Sequence, residues 1–431
     1  MNYKKKIFCT IIVSAVFVCG LCRCATPLPP NDSAAVPRDF AGVVHAADVK
    51  SAQQFKQLRD MGVRWVLATL YWNDVERKEG DWKYGNYDAF VKRNKDAGNK
   101  IVMVLAYDTP WLYSDNEGRK KVDPQNLDHF INYVETTVER YKDTVDAWEI
   151  WNEPNGLFWR GSRGDYFELH KRTAAAIRAV KKDAYILGGA FWRTPVSFIN
   201  AMFKYGAFEN VDAAAFHPYG INPDESMMLY DKFKAALLKN KFSGDIFITE
   251  VGYPTGGLYP NKMKEERAPE YVIKTISALA ARGARAVIWY ELQDSHNKGE
   301  ARGSLNSEDY FGLLYKDFAP KDGARAYSLC ANLLAGTTYK KSGIKTGALP
   351  KSLVSLYFEN ADGGVLIVWN DVNKIRPLKL EGLSAFTIHD INEKSEERLD
   401  GTAKLDAGRA PLVITWRTAD IDGNEVFLLP Y

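Results

Sequence analysis

The chain has 431 residues, of which 46% are hydrophobic, 13% aromatic and 26% charged. This is the composition of a globular protein, and the length is enough for two domains. The formal net charge of +3, with no long basic run after the N-terminus, excludes a nucleic-acid-binding surface.

The first residues have the pattern of an export signal. Three lysines, Lys4 to Lys6, precede an apolar stretch over residues 7–21, which is short for a membrane span. A polar, Pro-rich segment follows over residues 26–37 and is typical of a flexible linker. We therefore expect a signal peptide over residues 1–25, a linker over residues 26–38 and an exported protein. A membrane anchor formed by residues 7–21 is the alternative.

The positions of the cysteines agree with export. Cys9, Cys19, Cys22 and Cys24 lie in the leader, which leaves Cys330 alone in the body of the chain. Cleavage at Cys24 or beyond would therefore leave no partner for an internal disulfide. An alternative for the leader is a bacterial lipoprotein signal, in which one of its cysteines, such as Cys24, receives a lipid anchor.

Strand and helix patterns alternate from residue 39 onward, which predicts βα units and a parallel sheet. Six short apolar runs predict strands, and two more strands open the stretches 145–156 and 245–255; the six runs are residues 40–44, 63–71, 100–107, 185–189, 211–216 and 284–290. Helical spacing occurs between them, at residues 49–61, 87–97, 126–141, about 166–183, about 269–282 and in a last helix ending near Leu334. Eight strands in this order predict an α/β fold, a (β/α)8 TIM barrel over residues 39–337.

The last part of the chain has a different pattern. Short β-type runs are separated by turns rich in Asn, Asp and Gly, without helical spacing between them; the runs are residues 353–358, 364–369, 385–391 and 412–416. We expect a small C-terminal all-β sandwich over residues 338–431, packed on the barrel in a structural role. A sugar-binding module is the alternative.

Two glutamates end predicted strands of the barrel. In the first stretch the apolar run stops at Asn152-Glu153-Pro154, because Pro154 lacks the N–H that a strand ladder needs. In the second stretch Glu250 has the same place, 97 residues further on (250 − 153). Three βα units of about 31 residues each account for this spacing. We therefore expect Glu153 and Glu250 at the ends of strands 4 and 7, facing each other across one mouth.

Paired carboxyls at such a mouth suit the hydrolysis of a glycosidic bond, because one can protonate the leaving oxygen while the other attacks the sugar carbon. The motif Trp-Asn-Glu-Pro, followed by Ile-Thr-Glu-Val-Gly-Tyr, resembles the clan of retaining glycoside hydrolases on (β/α)8 barrels. This clan includes family 5 cellulase-type and family 39 xylosidase-type enzymes, and the resemblance extends over roughly residues 39–335. It implies cleavage of β-glycosidic bonds in a polysaccharide or oligosaccharide by double displacement.

The resemblance assigns roles to residues of the two motifs. Glu153 matches the clan's general acid/base, and Glu250 matches its nucleophile. Asn152 matches the asparagine that hydrogen-bonds the sugar 2-hydroxyl in these enzymes. Glu149 is a rival carboxyl in the same strand, but we expect it to be buried in a packing role because it lies inside the apolar run.

Further residues at strand ends are expected to contact the sugar. His217 and Tyr219 follow strand 6, where the resembled enzymes place a side chain near the nucleophile or the sugar, and a hydroxyl donated to Glu250 would keep it ionised. Trp289 ends strand 8, where the clan places a Trp under the sugar. Three tryptophans in loops of the same mouth are expected to stack on further sugar rings: Trp72, Trp111 and Trp159.

Two other classes of protein are alternatives to this hypothesis. A catalytically inactive carbohydrate-binding barrel would not need the carboxyl pair that Glu153 and Glu250 provide. A deacetylase or aldolase would need a metal cluster or a Schiff-base lysine at a strand end, and the histidines of this sequence have no His-x-x-x-His spacing. We therefore expect a carbohydrate as the binding partner, and neither a metal nor another cofactor.

Overall fold

The computed structural model describes residues 31–258, 262–299, 304–392, 396–422 and 425–431. The predicted signal peptide, and the predicted linker up to residue 30, lie outside these residues. None of the helices within them is long and apolar enough to cross a membrane.

Eight parallel strands form a closed barrel, which confirms the fold class expected from the sequence. Strand 8 closes the barrel on strand 1, where Ala41 pairs with Val287. Most strand residues are buried on both faces, because one face fills the barrel and the other packs under helices. We number the barrel strands 1 to 8 in chain order: Ala41–Val44, Trp65–Tyr71, Lys100–Ala106, Ala147–Ile150, Ile186–Trp192, Ala213–His217, Asp245–Val251 and Ala286–Trp289.

The α-helices of the described chain follow the barrel strands. Six of them occur where the sequence predicts a helix: near residues 49–61, 87–97, 126–141, 166–183 and 269–282, and at the last helix. The other three do not correspond to a predicted helix. In chain order they are α1 Ala52–Asp60, α2 Trp72–Val75, α3 Gly85–Asp96, α4 Leu127–Tyr141, α5 Arg163–Val180, α6 Val196–Tyr205, α7 Pro223–Lys239, α8 Ala268–Ala281 and α9 Asp322–Leu334.

Two further sheets form the C-terminal β-sandwich. The first has seven strands in the order Ser33–Ala35, Thr338–Lys340, Leu353–Glu359, Gly363–Asn370, Leu412–Arg417, Ala385–His389 and Glu396–Asp400. The second has four, in the order Lys345–Thr346, Phe427–Pro430, Arg376–Glu381 and Ala403–Ala407. Within these two sheets, the described strand pairings are all antiparallel except that of Lys345–Thr346 with Phe427–Pro430.

The seven-stranded sheet separates two cores. Along the strand Gly363–Asn370, alternate side chains belong to the barrel core and to the core of the sandwich, as the two-residue period of a strand requires. Trp369 faces the barrel, where the ammonium of Lys274 in α8 lies 5.6 Å from its ring centroid. The sandwich is therefore packed on the barrel through α8.

The strand Ser33–Ala35 lies at the edge of this sheet, although we expected these residues in the linker. It pairs with Thr338–Lys340, and Ala34 is opposite Tyr339. The chain thus contributes to the C-terminal sheet before it enters the barrel. The domain boundary that we predict between residues 337 and 338 falls between the end of α9 and Thr338–Lys340.

Candidate active site

Glu153 lies three residues beyond strand 4, in a turn with an unusual backbone. Trp151 and Glu153 have φ values of 63° and 43°, in the left-handed region that few residues other than glycine adopt. The Glu153 amide donates to the Ala190 carbonyl at 3.0 Å, and the Gly156 amide donates to the Glu153 carbonyl at 2.9 Å. Such a conformation persists only where its surroundings fix it, which is common at functional sites.

Glu250 lies near the end of strand 7, in extended backbone. The chain leaves this strand at Gly252, where a Cβ atom would lie 1.9 Å from the carbonyl oxygen of Tyr290. Only glycine allows the end of strand 7 to approach strand 8 so closely. This contact explains why glycine follows Glu250-Val251.

His217, the last residue of strand 6, connects the two carboxyls. Its side chain is fully buried, with Nδ1 2.9 Å from Oε1 of Glu153 and 3.6 Å from Oε2 of Glu250. On the other side of the ring, Nε2 lies 3.0 Å from Oγ1 of Thr249. One carboxylate oxygen of each glutamate and one nitrogen of His217 all lie within 4.8 Å of one another. Donor atoms at this spacing suit either a metal ion or acid–base chemistry by the two carboxyls.

Tyr219 is the second contact from strand 6. Its hydroxyl donates to Oε2 of Glu250 at 2.9 Å, and its amide donates to the carbonyl of His217 at 2.9 Å. A hydroxyl that donates to a carboxylate favours the ionised form of that carboxylate. Tyr219 therefore acts on Glu250, while the shorter contact of His217 is with Glu153.

The two carboxyls have different electrostatic surroundings. Burial alone raises the pKa of Glu153 to about 8. Burial also raises the pKa of Glu250, and the charge of Glu153 adds to this shift. Three groups oppose the shift at Glu250: His217, the hydroxyl of Tyr219 and His45. Groups that favour the ionised form therefore act on Glu250, whereas burial acts on Glu153 unopposed, so Glu153 is the better proton donor and Glu250 the better anion of the pair.

The ring of His217 is neutral near pH 7, because burial lowers its pKa although the charge of Glu250 opposes this. A neutral imidazole has one N–H to donate. Both contacts are satisfied when Nδ1–H donates to Glu153 and Nε2 accepts from the hydroxyl of Thr249. The acidic proton of Glu153 is then carried by Oε2, the oxygen that does not face His217.

A third carboxyl, Glu149, lies inside strand 4 and is 1% exposed. It is hydrogen-bonded to Thr249, and burial together with the charge of Glu250 raises its pKa well above the usual range. Its Oε2 has no hydrogen-bond partner among the described residues. Glu149 is thus a neutral, buried acid beside the threonine that also contacts His217.

Asn152 lies beside Glu153 and is partly exposed. Its amide nitrogen donates to the hydroxyl of Tyr107 at 3.2 Å. Tyr107 follows strand 3 and packs edge to face on Trp151, with 5.1 Å between the ring centroids. The amide of Asn152 is therefore held in place by a neighbouring aromatic side chain.

Three of the four tryptophans that we expected to stack on sugar are buried. Trp289 is 2% exposed. Trp72 stacks on Tyr133 with 5.3 Å between ring centroids, and Trp159 packs edge to face on Trp151 at 5.2 Å. Other side chains cover these rings, so the structure does not match the expectation for Trp72, Trp159 and Trp289. They belong to the layer between the barrel and its helices.

Trp111 differs from these three because it is only partly buried. Its indole N–H donates to the carbonyl of Glu76 at 2.8 Å, and its ring packs edge to face on Trp72 at 5.6 Å. The ring is anchored in the aromatic cluster of the strand 2 and strand 3 loops, with part of its surface open to solvent.

Strand 8 presents Tyr290 to the mouth instead of Trp289. Tyr290 packs edge to face on Tyr219 at 6.3 Å, and its hydroxyl donates to Oε2 of Glu308 at 2.9 Å. Successive side chains of a strand point to opposite faces, so a Trp289 that faces the helices requires a Tyr290 that faces inward. This alternation is the signal in the sequence that would have identified Tyr290.

His45 and Glu291 form a second charged pair at the mouth, and the sequence analysis assigned no role to either. His45 follows strand 1, and its Nδ1 lies 2.6 Å from Oε2 of Glu291, which follows strand 8. Burial opposes protonation of His45, but its hydrogen bond and charge interaction with Glu291 raise its pKa overall. The two residues are 246 positions apart, so no local pattern connects them.

Comparison with known proteins gives the family of this chain. The sequence model of the cellulase family, described as glycosyl hydrolase family 5, matches residues 33–294. Endo-1,4-beta-xylanase A of Halalkalibacterium halodurans is 27% identical over 94 residues, which cover 18% of this chain and 24% of that protein. The beta-xylosidase of Caldicellulosiruptor saccharolyticus is 27% identical over 163 residues, which cover 32% of this chain and 33% of that protein. The chain thus spans a third or less of the length of these relatives.

Solved structures share the fold over much more of the chain. A family 39 glycoside hydrolase from the gut symbiont Bacteroides cellulosilyticus WH2 has a TM-score of 0.69 with this structure at 20% identity. The alignment covers 88% of this chain and 81% of that chain. The likeness therefore extends beyond the barrel and into the C-terminal part of the molecule.

Proposed function

Because the chain belongs to the cellulase family, glycosyl hydrolase family 5, we propose that it is a retaining hydrolase of β-glycosidic bonds, with Glu153 as general acid/base and Glu250 as nucleophile. The observation that carries this proposal is that two carboxyls have oxygens within 4.8 Å of each other, while groups that oppose the rise in pKa act on Glu250 alone. Retaining enzymes hold their carboxyls about 5–5.5 Å apart, whereas inverting enzymes need about 6.5–9.5 Å for an intervening water.

In the first step, the ionised carboxylate of Glu250 attacks the anomeric carbon. The bond from that carbon to the glycosidic oxygen breaks, and Glu153 gives the proton on its Oε2 to this oxygen. The products are a free leaving group and a glycosyl ester on Glu250. Glu153 is now ionised, and the N–H of His217 that donates to its Oε1 at 2.9 Å stabilises this charge.

In the second step, Glu153 takes a proton from water as the water oxygen attacks the anomeric carbon. The ester bond breaks, and its electron pair returns to Glu250, where the hydroxyl of Tyr219 donates to the recovered carboxylate at 2.9 Å. Two inversions give a product with the configuration of the substrate. Asn152 would contact the sugar 2-hydroxyl, since its amide lies beside Glu153 and is oriented by Tyr107.

The substrate class that we propose is a β-linked xylo-oligosaccharide or xylan. The two relatives described above are named as a xylanase and a xylosidase, which supports xylose units as the sugar. The mouth also has polar groups suited to neutral hydroxyls: the His45–Glu291 pair and the hydrogen bond from Tyr290 to Glu308.

The configuration of the first product tests the proposal. Proton NMR of a reaction with 4-nitrophenyl β-xyloside should show the β-anomer of xylose first, followed by slow mutarotation to the α-anomer. The Glu250→Ala variant, purified in the same way, controls for contaminating hydrolases and should give no product. An α-anomer formed first would contradict the roles assigned to the two glutamates.

We also propose that the protein is exported, and the sequence of the leader supports this: three lysines followed by the apolar residues 7–21. Intact-mass measurement of the natively produced protein should show the loss of about 20–25 residues, with an added lipid mass if a leader cysteine is the anchor. A mass that includes Met1 would contradict export through a cleaved signal.

A further inference from the structure

Glu149 is a buried carboxyl that the two steps described above do not use. It lies inside strand 4 and is 1% exposed. The residues paired with it in the neighbouring strands are apolar: Val104 of strand 3 and Leu187 of strand 5. From the sequence we expected a packing role for Glu149. A polar group in such surroundings is stable only with a hydrogen-bond partner, so its partner indicates what it does.

Thr249 connects Glu149 to the general acid/base. This threonine of strand 7 is fully buried and is hydrogen-bonded to Glu149. Its Oγ1 lies 3.0 Å from Nε2 of His217. On the other side of the imidazole, Nδ1 lies 2.9 Å from Oε1 of Glu153. These four side chains form a continuous hydrogen-bonded row from the interior of strand 4 to Glu153.

Two orders of donors and acceptors satisfy every link of this row, because a hydroxyl and a neutral imidazole each have one hydrogen to donate. In the forward order Glu149 donates to Thr249, the threonine hydroxyl donates to Nε2 of His217, and Nδ1–H donates to Glu153. In the reverse order each hydrogen bond runs the other way, and Glu149 accepts from Thr249. The acidic proton of Glu153 is on Oε2 in the forward order. In the reverse order it is on Oε1, where it is given to His217 and not to the substrate.

The surroundings of Glu149 favour the forward order. To accept from Thr249, Glu149 must be ionised or must carry its proton on Oε2. Burial and the charge of Glu250 oppose its ionisation. Oε2 has no hydrogen-bond partner among the described residues, so a proton there would be an unpaired buried donor. A proton on Oε1 that is donated to Thr249 avoids both costs.

The forward order also suits the nucleophile. Nδ1 of His217 lies 3.6 Å from Oε2 of Glu250. In the forward order an N–H faces this carboxylate, whereas in the reverse order the lone pair of the nitrogen faces it. An N–H near a carboxylate stabilises its charge, and a lone pair does not. The order of the row therefore affects both glutamates.

We propose that Glu149 is a positioning residue whose proton holds the row in the forward order, so that Glu153 keeps its acidic proton on the oxygen that faces the substrate. This inference rests on the proposed function. Glu149 contacts neither the substrate nor the reacting atoms, and it retains its proton throughout the reaction. It acts through Thr249 and His217. After the first step, the anion left on Glu153 then meets Nδ1–H and not a lone pair.

The tautomer of His217 tests this order directly. Long-range proton–nitrogen NMR of protein labelled with ¹⁵N-histidine distinguishes a ring nitrogen that carries hydrogen from one that does not, and His217→Gln identifies the signals of this ring. In the wild type we expect hydrogen on Nδ1 and a bare Nε2. Glu149→Gln should keep this tautomer, because its amide N–H can donate to Thr249. Glu149→Met has no donor, so the signals of the two ring nitrogens should shift toward each other.

Kinetics test the consequence for Glu153. In Glu149→Met, kcat/KM on xylotetraose should fall about tenfold, a part of the roughly 10²–10⁴ that a general acid contributes. On dinitrophenyl β-xyloside, whose leaving group needs little protonation, kcat/KM should stay within about twofold of the wild type. Glu149→Gln should stay near the wild type on both substrates. Thr173→Val is the matched control, because it removes a buried hydroxyl that has no hydrogen-bond partner among the described residues.

A wild-type His217 with hydrogen on Nε2 would overturn the proposal, and this measurement does not depend on whether a variant folds. Equal losses on both substrates with unchanged ring signals would reduce Glu149 to a packing role and would also overturn it. So would a Glu149→Gln variant that loses as much activity on xylotetraose as Glu149→Met. A wild type that cleaves neither substrate would overturn the proposed function, while its ring signals would still decide the order of the row. The two failures are therefore distinguishable.

Discussion

Glu153 and Glu250 are the same amino acid, placed by two different kinds of backbone. Glu153 follows strand 4 in a left-handed turn, and its Oε1 faces the N–H of a neutral imidazole. Glu250 lies in an extended strand, where the Tyr219 hydroxyl and His45 favour its charge. The number of partners that stabilise the anion separates the two glutamates, because both are largely buried, with 12% and 16% of their side chains exposed.

This difference shows which residues decide whether a glutamate acts as proton donor or as nucleophile. Burial by itself makes a carboxyl a weak acid, which suits a proton donor, and additional donors are needed to make the same group a nucleophile. The roles therefore depend on strand 6, which supplies both His217 and Tyr219, as much as on the glutamates themselves. Variants that change one glutamate, or one partner of a glutamate, at a time can test this.

The largest effect is expected at the nucleophile. Glu250→Ala should lower kcat by a factor on the order of 10⁴ or more, because no other group can form the covalent intermediate. Added azide should restore turnover of an activated aryl glycoside and give the α-glycosyl azide, since it fills the space of the lost carboxylate. The matched control is Glu168→Ala on the outer helix α5, which should keep wild-type activity. A β-configured azide product would contradict the role of Glu250.

A smaller effect is expected at the acid/base, and it depends on the leaving group. Glu153→Gln should lower kcat/KM on xylotetraose by about 10²–10⁴, while the first step with a dinitrophenyl glycoside, which needs little protonation, should change far less. In the wild type, activity should fall as pH rises through about 8, where Glu153 loses its proton. The pH–rate profile of the variant should lack this alkaline limb, and a wild-type profile still rising at pH 9 would contradict the assignment.

Removing the hydroxyl of Tyr219, which donates to the nucleophile, should reduce the difference in pKa between Glu250 and Glu153. The Tyr219 hydroxyl lowers the pKa of Glu250, so Tyr219→Phe should raise it. Because the ionised form is the active one, the acidic limb of kcat/KM should move to higher pH, with kcat reduced by about tenfold. Tyr290→Phe is the control, because its hydroxyl donates to Glu308. The same shift in both variants would show that the hydroxyl of Tyr219 has no particular effect on Glu250.

The smallest effect concerns stability. The folded-state pKa of Glu153, about 8, lies above its ordinary value, so the proton stabilises the fold at low pH. This contribution is lost progressively as pH rises from about 4.5 to about 8. Position 153 does not titrate in Glu153→Gln. The melting temperature of the variant minus that of the wild type should therefore be a few degrees larger at pH 8 than at pH 4.5. Thermal melts at both pH values check this; a difference independent of pH would contradict it.

Much of the fold is predictable because the strongest strands are continuous apolar runs at regular spacing. The barrel strands were identified in this way, and so were Leu353–Glu359 and Gly363–Asn370, in which most residues are buried. Arg376–Glu381 and Ala403–Ala407 were missed because only alternate residues are apolar in these short strands. Helix α7 was missed although Asn222 caps it and Pro223 opens it, both of which are start signals in the sequence.

Some residues of the candidate site are likewise predictable from the sequence, and others are not. Glu153, Glu250, Asn152, His217 and Tyr219 stand in short motifs at strand ends, and the structure brings all five together at one mouth. The direction of a strand-end tryptophan depends on its register with the next strand, which no local pattern fixes. Trp289 is buried, while Trp192, which follows a register shift between Gly188 and Phe191, is 39% exposed. The pair of His45 and Glu291 needs the barrel to close, since it joins strands 1 and 8.

The edge strand Ser33–Ala35 has a consequence for the order of folding. Its partner Thr338–Lys340 lies about 300 positions later in the chain, and that strand in turn pairs with Leu353–Glu359. Contacts between distant parts of a chain form slowly, because a large loop must close first. During synthesis, Ser33–Ala35 leaves the ribosome before the whole barrel but pairs only after residue 338 has followed. The order of synthesis is therefore opposite to the order of assembly at this edge, because the first strand of the described chain pairs with a strand that is made about 300 residues later.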